Sequence, residues 1–500
     1  MISRLLGLVR DRLLVAHFGI GAQLDAYNAA FRLPEMLFTL LVSGAFAVAF
    51  IPVLSGYLHN DEEEEAWRVT ASLLNILVLA TAVGGVVMAI FASPLTTILT
   101  PGFDPTRHAM AVNLTRIMLI TPVFFAISSV LGSVQQSFNR FIIFALAGVF
   151  YNLGIIFGII FWSGNSGIYG VAWGVVMGVI LQAALQLVGL YGLGFKWRPM
   201  LGIRLKGVRR TIVLMIPRSI DQGIDQINYG VETIIASILA PGSITAFTLA
   251  NNLKNVPLVL IGTSLTTASF PRMAARAAAG AKEHLIEGYV KTARLILFLS
   301  IPAVVFMVLG RGYIVRLLYG FGNADTANTL GWFAGTIIFA SLYQLVARLY
   351  YSYQDTKTPL FVSIVSISIN IALSYILSRK YGVVGLAIAA SIVAFLETVV
   401  LMTILHFREG NFGEREIIRG GVVMGGAGVL MAGVLYYLIN VYVPLYAADR
   451  GFLVLAPKFL LLLASGLGAY LLPCYLLRLK EASAVVTRIR ELMVRTINLT

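Results

Sequence analysis

Apolar stretches of about twenty residues recur from one end of this chain to the other, and they restrict its fold more than any other feature. A helix of that length crosses the hydrocarbon core of a bilayer, where no other open-chain structure satisfies the backbone polar groups. The short alternating segments of a membrane β-barrel are absent from the sequence. Mean hydropathy is +0.87, and we therefore expect an all-α polytopic membrane protein.

The periodicity predicts about fourteen membrane-spanning helices. They cover residues 3–19, 25–57, 69–97, 109–137, 141–163, 167–195, 211–239, 243–275, 286–310, 327–352, 359–378, 383–407, 417–442 and 454–478. An even number of spans returns both termini to one side, and the basic segments 196–210 and 478–495 indicate that this side is cytoplasmic. The net charge of +14 is interpreted as anchoring beside anionic lipid, not as nucleic-acid binding.

The sequence contains an internal repeat. "GIYGVAWG" at 167–174 is similar to "GVVGLAIA" at 382–389, so that Gly167 matches Gly382 with an offset of 215 residues. "TPGFD" (100–104) likewise matches "LYGFG" (318–322). The repeat predicts two pseudosymmetric six-helix lobes, an architecture typical of transporters, followed by a pair of helices.

These features predict five consecutive parts of the chain. They are an N-terminal lobe at 1–196, a basic cytoplasmic linker at 197–210, a C-terminal lobe at 211–410, the final helix pair at 411–480 and a cytoplasmic tail at 481–500.

Two of the predicted spans carry polar stripes. In the second span, six polar residues fall within about 80° of one another on a helical wheel: Asp25, Asn28, Arg32, Glu35, Thr39 and Ser43. In the seventh span, four residues do the same: Arg218, Asp221, Asp225 and Glu232. Polar groups are expensive in lipid, so we expect both stripes to line a common aqueous cavity. The alternative is ion pairs that hold helices together, such as Arg32 with Glu35. Pro34 predicts a kink in the second span.

The first span is short and polar on more than one face, so it cannot face lipid. The candidate cavity cations are Arg4, Arg10, Arg32, Arg218 and Lys254. Guanidinium groups that converge in water suit a diphosphate, because their planar fork pairs with phosphate oxygens. Arg12 lies on another face and is interpreted as an interfacial or structural charge.

Several motifs resemble the MurJ/MviN lipid II flippases of the MOP exporter superfamily. "SRLLGLVRDRLLVAHFGIGAQLDAYNAAFRLP" is similar to the amino-terminal signature of that family, and "FNRF" (138–141), "ASILAPGSIT" (236–245) and "YSYQDTKTP" (351–359) fit it in the same order. The resemblance implies a carrier of polyprenyl-diphosphate-linked peptidoglycan precursor, moving it from the inner to the outer leaflet by alternating access. It implies that the helix pair at 411–480 forms a groove for the lipid tail. It also implies that members begin further upstream than this chain.

The resemblance also indicates residues for the substrate site. Ser3, Arg4, Arg10 and Asp25 match polar cavity positions of the family, Arg32 matches a basic position, and Thr245 stands where the family often has serine. Some expected charges are missing, since Phe38, Asn252 and Asn255 replace charged residues and Ser43 replaces an acidic one. Lys254 and Arg218 are the candidates to substitute for them.

For energy coupling, the resemblance implies dependence on membrane potential and, in some members, a sodium ion in the second lobe. Glu232, Asn370 and Ser374 are the candidate ligands, whereas Asp221 and Asp225 are candidates for proton coupling. Plain interhelical hydrogen bonding by Asn370 and Ser374 is the alternative. Neither the five histidines nor the single Cys474 form a transition-metal pattern, and no cofactor is expected.

The sequence therefore predicts a monomeric lipid II flippase of the bacterial inner membrane with lipid II and membrane lipids as partners, and not an enzyme. Three alternatives stay open: a flippase for another polyprenyl-linked glycan, a cation-coupled antiporter of the MATE type, and an intramembrane glycan-transfer enzyme. The arginines of the first two spans disfavour the antiporter, whose cationic substrates need an acidic or apolar cavity. The short outer loops disfavour the enzyme.

Overall fold

The computed structural model describes residues 2–42, 45–320, 322–446, 449 and 451–483, without the side chains of residues 45, 217, 218, 220, 221 and 224. Every regular element in this part of the chain is a helix. The α-helices are α1 (Ile2–Phe18), α2 (Ala22–Ala30), α3 (Arg32–Leu41), α4 (Ala45–His59), α5 (Glu63–Ile90), α6 (Ala92–Leu99), α7 (Pro105–Met118), α8 (Thr121–Ser137), α9 (Phe141–Phe157), α10 (Ser163–Ser166), α11 (Ile168–Val188), α12 (Lys206–Ser237), α13 (Ser243–Pro257), α14 (Ser264–Ala278), α15 (Lys282–Leu309), α16 (Arg311–Tyr319), α17 (Ala324–Ser352), α18 (Lys357–Tyr381), α19 (Val383–Glu409), α20 (Glu414–Tyr437) and α21 (Phe452–Leu476). Short π-helical segments occur at Gly158–Trp162, Leu258–Thr263 and Leu438–Tyr442.

Twelve helical stretches among the described residues are long and apolar enough to cross a membrane. Some of them consist of consecutive helices, such as α7 with α8 in Pro105–Ser137. They agree with twelve of the fourteen predicted spans, which confirms the all-α polytopic fold. The other two predicted spans are also helical, as α1 and α12. Helix α1 has only 17 residues, which is short for a membrane span. Helix α12 is long but carries charged residues along its length.

The chain forms two compact units, residues 1–245 and 246–500. We call them the first and the second unit. Helix α12, which the repeat assigns to the C-terminal lobe, packs against α3 and α4 within the first unit. Trp67, Phe46 and Phe50 belong to the apolar core of the first unit.

The internal repeat is visible in the backbone. Gly167, which precedes α11, has φ 56° and ψ −138°, and Gly382, which precedes α19, has φ 59° and ψ −142°. A positive φ of this kind is accessible to glycine and strained for most other residues. Both units therefore begin the corresponding helix with the same turn, at an offset of 215 residues.

The same offset relates a side-chain contact inside each unit. In the first unit, Gln135 Nε2 donates to the carbonyl oxygen of Gln186 at 2.8 Å. In the second unit, the Tyr350 hydroxyl donates to the carbonyl oxygen of Leu401 at 3.0 Å. The donor and the acceptor in the second unit each lie 215 positions after their counterparts in the first unit. The repeat therefore includes this contact between helices.

Helix α3 begins at Arg32, two residues before Pro34, and Phe31 separates it from α2. Proline cannot donate the backbone hydrogen bond that would continue the helix through this point. The sequence predicts a kink at Pro34, whereas the structure interrupts the helix at Phe31, three residues earlier.

Candidate functional site

Asp25 on α2 is a buried carboxylate with three donors around it. Its side chain accepts hydrogen bonds from the backbone N–H of Gly242 at 2.6 Å and of Thr245 at 2.8 Å. The Thr245 hydroxyl donates a third at 2.7 Å, and Asn28 Nδ2 contacts the same hydroxyl oxygen at 3.2 Å. Because N–H groups at the start of a helix lack intrahelical acceptors, Asp25 caps the beginning of α13.

Helix α3 continues this polar contact along α12. Arg32 Nε donates to Thr233 Oγ1 at 3.0 Å, and its guanidinium lies 5.7 Å from the centre of the Tyr229 ring. About two turns further, Gln226 Nε2 contacts Thr39 Oγ1 at 3.4 Å. Arg32 and Thr39 of the second predicted span therefore contact Thr233 and Gln226 of α12.

The contacts of α12 with α3 named above are made by Thr233, Tyr229 and Gln226, which do not belong to the predicted stripe of α12. The ion pair between Arg32 and Glu35 is present at 3.5 Å and is exposed on the Glu35 side. Arg218 and Asp221 lie in α12, but their side chains are outside the described residues, as is Ser43. Of the other two acidic residues of α12, Asp225 is exposed, whereas Glu232 is 6% exposed and accepts a hydrogen bond from Asn228.

Helix α1 separates its charges. Arg10 donates through Nε and Nη2 to the carboxylate of its neighbour Asp11, at 3.0 and 2.7 Å. Asp11 is buried. Arg4 is exposed and makes no hydrogen bond or ion pair with any described residue. Arg10 is therefore neutralised locally, whereas Arg4 is available to a ligand.

The beginning of α1 is held by α9. Asn152 Nδ2 donates to the Ser3 carbonyl oxygen at 3.2 Å and contacts the Ser3 hydroxyl at 3.4 Å. Ser3 therefore has a packing partner on α9. Phe38, which replaces a family charge, lies against Phe125 with ring centres 5.1 Å apart.

The remaining candidates lie in the second unit. Lys254 Nζ lies 4.4 Å from the centre of the Phe333 ring, and Asn252 is half-buried on the same helix. Asn370 and Ser374 are both buried on α18, one turn apart. The Ser374 hydroxyl has no hydrogen-bond partner among the described residues.

The sequence analysis did not identify the partners of Asp25 and Arg32. Gly242 contributes only a backbone N–H group, and the residue pattern does not show which backbone groups bind a side chain. Thr233 is one of several polar residues of an amphipathic helix, and nothing in the sequence distinguishes it as a partner of Arg32. The turn signal of "APGSIT" was the only available indication that a helix starts there.

Comparison with known proteins identifies the family. The family model described as lipid II flippase MurJ matches residues 14–456. A probable lipid II flippase MurJ of Vibrio cholerae serotype O1 is 30% identical over 465 residues, which are 88% of this chain and 87% of that protein. The lipid II flippase MurJ of Burkholderia cenocepacia is 26% identical over 452 residues, or 87% of each chain.

Solved structures share the fold. A structure of lipid II flippase MurJ in an inward closed conformation matches with a TM-score of 0.75 and 22% identity, over 93% of this chain and 96% of that chain. An inward-facing multidrug resistance MATE family transporter of the MOP superfamily matches with a TM-score of 0.67 and 14% identity, over 82% and 96%. Since the family model spans most of the sequence, the chain belongs to the MurJ family of lipid II flippases.

Proposed function

We infer that this chain is a lipid II flippase, a multi-pass transporter of the bacterial inner membrane and not an enzyme. The observation that carries this conclusion is the match of the family model from residue 14 to residue 456. The polar contacts of α2 with the beginning of α13 and of α3 with α12, and the charged α1, are consistent with a transporter, because buried polar groups in membrane helices mark substrate pathways. The substrate is lipid II, and it passes from the inner to the outer leaflet by alternating access.

We propose that Arg4 is the first contact for the diphosphate of lipid II. Its guanidinium is exposed and has no partner among the described residues, so binding an anion breaks no existing interaction. Arg10 is already neutralised by Asp11, and it contributes by fixing the charge distribution of α1. Arg32 is 16% exposed and is oriented by Thr233, which suits a second, preorganised contact.

We further propose that both termini are cytoplasmic, that the chain acts as a monomer and that transport depends on the membrane potential. The basic segments 196–210 and 478–495 support the orientation under the positive-inside rule. For a coupling cation, the proposed ligands in the second unit are Asn370 and Ser374, and Glu232 is a separate candidate in the first unit; all three side chains are buried. Asp225 is the exposed candidate for proton coupling.

The test is complementation in a bacterium whose own lipid II flippase is depleted, with lipid II in the outer leaflet as the readout. We expect the wild-type chain to restore growth and outer-leaflet lipid II. Arg4→Ala and Arg32→Ala each remove a charge-assisted hydrogen bond of about 1.5–3 kcal/mol, so transport should fall by roughly ten- to a hundredfold.

Arg12→Ala is the matched control, because it removes the same group from a different face of α1, and it should retain transport. If a well-expressed wild-type chain leaves the outer leaflet without lipid II, the function is wrong. If Arg4→Ala and Arg32→Ala transport at the wild-type rate, the function stands and the diphosphate contacts are wrong.

A further inference from the structure

Glu35 is a half-exposed carboxylate in an apolar part of the first unit. Its side chain is 49% exposed, and it belongs to the helical stretch Ala22–His59, which is apolar enough to cross a membrane. Between residues 32 and 59, Arg32 and Glu35 are the only residues of the Lys, Arg, Asp and Glu types. Charged side chains in membrane helices face protein or water and commonly serve a function, and no role described above uses Glu35.

The contact between Glu35 and Arg32 occupies little of the carboxylate. Arg32 Nη1 lies 3.5 Å from Glu35 Oε2, at the long end of hydrogen-bond distances. It is the only hydrogen bond or ion pair that the Glu35 side chain makes with a described residue. An ionised carboxylate has about four acceptor positions, and an exposed ion pair of this kind contributes little to stability. Most of the Glu35 carboxylate is therefore open to a ligand.

Arg32 does not need Glu35 to hold its position. Its Nε donates to Thr233 Oγ1 at 3.0 Å, and its guanidinium lies 5.7 Å from the centre of the Tyr229 ring. The Arg32 side chain is 16% exposed, against 49% for Glu35. The guanidinium is therefore oriented by α12, and the carboxylate beside it is the more exposed of the two groups. A phosphate that binds the Nη groups of Arg32 lies close to Glu35.

A carboxylate next to a phosphate contact distinguishes two kinds of polyprenyl diphosphate. When the diphosphate carries a sugar, both phosphates are substituted, and each has about one negative charge. When the sugar is missing, the lipid ends in an unsubstituted phosphate, and such a group carries about −1.5 to −2 at pH 7. A neighbouring carboxylate repels this additional charge. A sugar instead offers hydroxyl and amide N–H donors, which a carboxylate accepts.

We propose that Glu35 is a specificity residue of the transporter, which accepts a polyprenyl diphosphate with its sugar at Arg32 and disfavours the same lipid without the sugar. Specificity is a difference between two affinities, and repulsion of the wrong ligand is one way to obtain it. The role rests on the proposed function, because it takes Arg32 as a contact for the diphosphate.

The test compares the binding of lipid II and of undecaprenyl diphosphate to the full-length chain in nanodiscs of zwitterionic phospholipid at neutral pH. The wild-type chain should prefer lipid II. Glu35→Gln keeps the size of the side chain and removes its charge. Its affinity for undecaprenyl diphosphate should therefore rise by about five- to thirtyfold, whereas its affinity for lipid II should stay the same or fall.

Glu65→Gln on α5 is the matched control. Glu65 forms the same kind of pair with Arg68, three residues further along, at 3.1 Å, and its side chain is 34% exposed. It lies outside the second predicted span, and no diphosphate contact is proposed beside it. Both lipids should bind Glu65→Gln with the wild-type affinities.

Flipping provides a second measurement. Added undecaprenyl diphosphate should inhibit the flipping of lipid II by Glu35→Gln more strongly than flipping by the wild-type chain. Glu35 also lies in the first turn of α3, where a negative charge stabilises a helix. A role limited to that effect would lower the melting temperature of Glu35→Gln without changing the ratio of the two affinities.

An unchanged ratio of affinities in Glu35→Gln, or an equal gain for both lipids, overturns the proposal. If the wild-type chain flips lipid II and the ratio is unchanged in Glu35→Gln, only the role of Glu35 is wrong. Failure of the wild-type chain to bind or flip lipid II would instead contradict the proposed function.

Discussion

Single residues in this protein show how a membrane helix carries charge. Asp25 is 2% exposed, and its cost of burial is offset by donors from Gly242 and Thr245. Arg10 uses the adjacent carboxylate of Asp11 instead. A buried charge that keeps its hydrogen bonds is tolerated, whereas the same charge without them is strongly destabilising.

Replacing Asp25 with alanine should therefore destabilise the first unit. The change leaves two backbone N–H groups and one hydroxyl buried without an acceptor, at about 1–3 kcal/mol for each. We expect a lower melting temperature in detergent and faster hydrogen exchange of the amides of Gly242 and Thr245.

Thr245→Val is the control for this prediction, because it removes only the hydroxyl donor and leaves both backbone bonds in place. It should cost less than Asp25→Ala. Equal hydrogen exchange of the two amides in wild type and Asp25→Ala would contradict the capping role.

The site was predictable at this scale only in part. The amphipathic pattern identified Asp25 and Arg32, because charges within an apolar run are visible in the sequence. Their partners were not predictable, since Gly242 and Thr233 lie about two hundred residues away and reach the site through the tertiary fold.

At the scale of helices, close packing depends on glycine. Gly154 and Gly158 of the fifth predicted span face Gly174 and Gly178 of α11, and a Cβ added at Gly158 would lie 2.7 Å from the Gly174 Cα. Small residues of this kind allow the backbones of membrane helices to approach each other closely.

Gly178→Ala should force α9 and α11 apart. The added methyl group would overlap the Tyr151 carbonyl group, and overpacking of this kind costs about 1–3 kcal/mol. The measurement is the thermal unfolding of the purified protein, monitored by circular dichroism.

A matched substitution in another membrane helix provides the comparison. Gly425 on α20 has no atom within 4 Å of an added Cβ, and alanine there should be neutral or slightly stabilising. Similar melting temperatures for the two variants would mean that the glycine contact does not limit stability.

The positions of the helices were largely predictable, because apolar length and period are local properties. The predicted span 383–407 corresponds to α19, Val383–Glu409. The predicted span 359–378 corresponds to α18, Lys357–Tyr381, which begins two residues earlier and ends three residues later. The subdivision of the second predicted span into α2, α3 and α4 was predicted only as a kink at Pro34. The position of the break at Phe31 depends on which backbone groups find partners, and the pattern does not contain that information.

At the scale of the whole molecule, an ion pair inside the second unit joins α15 to the segment that follows α21. Arg294 on α15 donates through Nε and Nη2 to both carboxylate oxygens of Glu481, at 2.7 and 3.1 Å. Within the bilayer, the Tyr470 hydroxyl donates to the Phe298 carbonyl oxygen at 3.0 Å. These contacts tie α21 and Glu481, which follows it, to α15, almost two hundred residues earlier.

The Arg294–Glu481 pair makes the stability of the second unit dependent on pH. Partial burial raises the pKa of the Glu481 carboxyl, but the hydrogen bonds from Arg294 outweigh this effect and hold the pKa below its usual value. A lowered pKa in the folded state stabilises the protein above the unfolded value of about 4.3, and this stabilisation is lost as the pH falls through the folded value.

Glu481→Gln should therefore lower stability at neutral pH by roughly 1.5–3 kcal/mol, and the difference from wild type should shrink as the pH falls below about 4.3. Melting curves of the two proteins across this range give the measurement. Exchanging the two charges, as Arg294→Glu with Glu481→Arg, should recover part of the loss. A difference between wild type and Glu481→Gln that does not change with pH would contradict the ion pair.

The contact between α1 and α9 also has a consequence for how the chain is made. Helix α1 carries three arginines and one aspartate, and each charge at the centre of a lone helix opposes membrane insertion by about 2.5–3.5 kcal/mol. Its polar partner Asn152 follows Ser3 by 149 residues, a delay of roughly ten seconds or more at ribosomal speed. After it leaves the ribosome, α1 therefore has to wait at the membrane surface, or beside the insertion machinery, until α9 arrives to receive it.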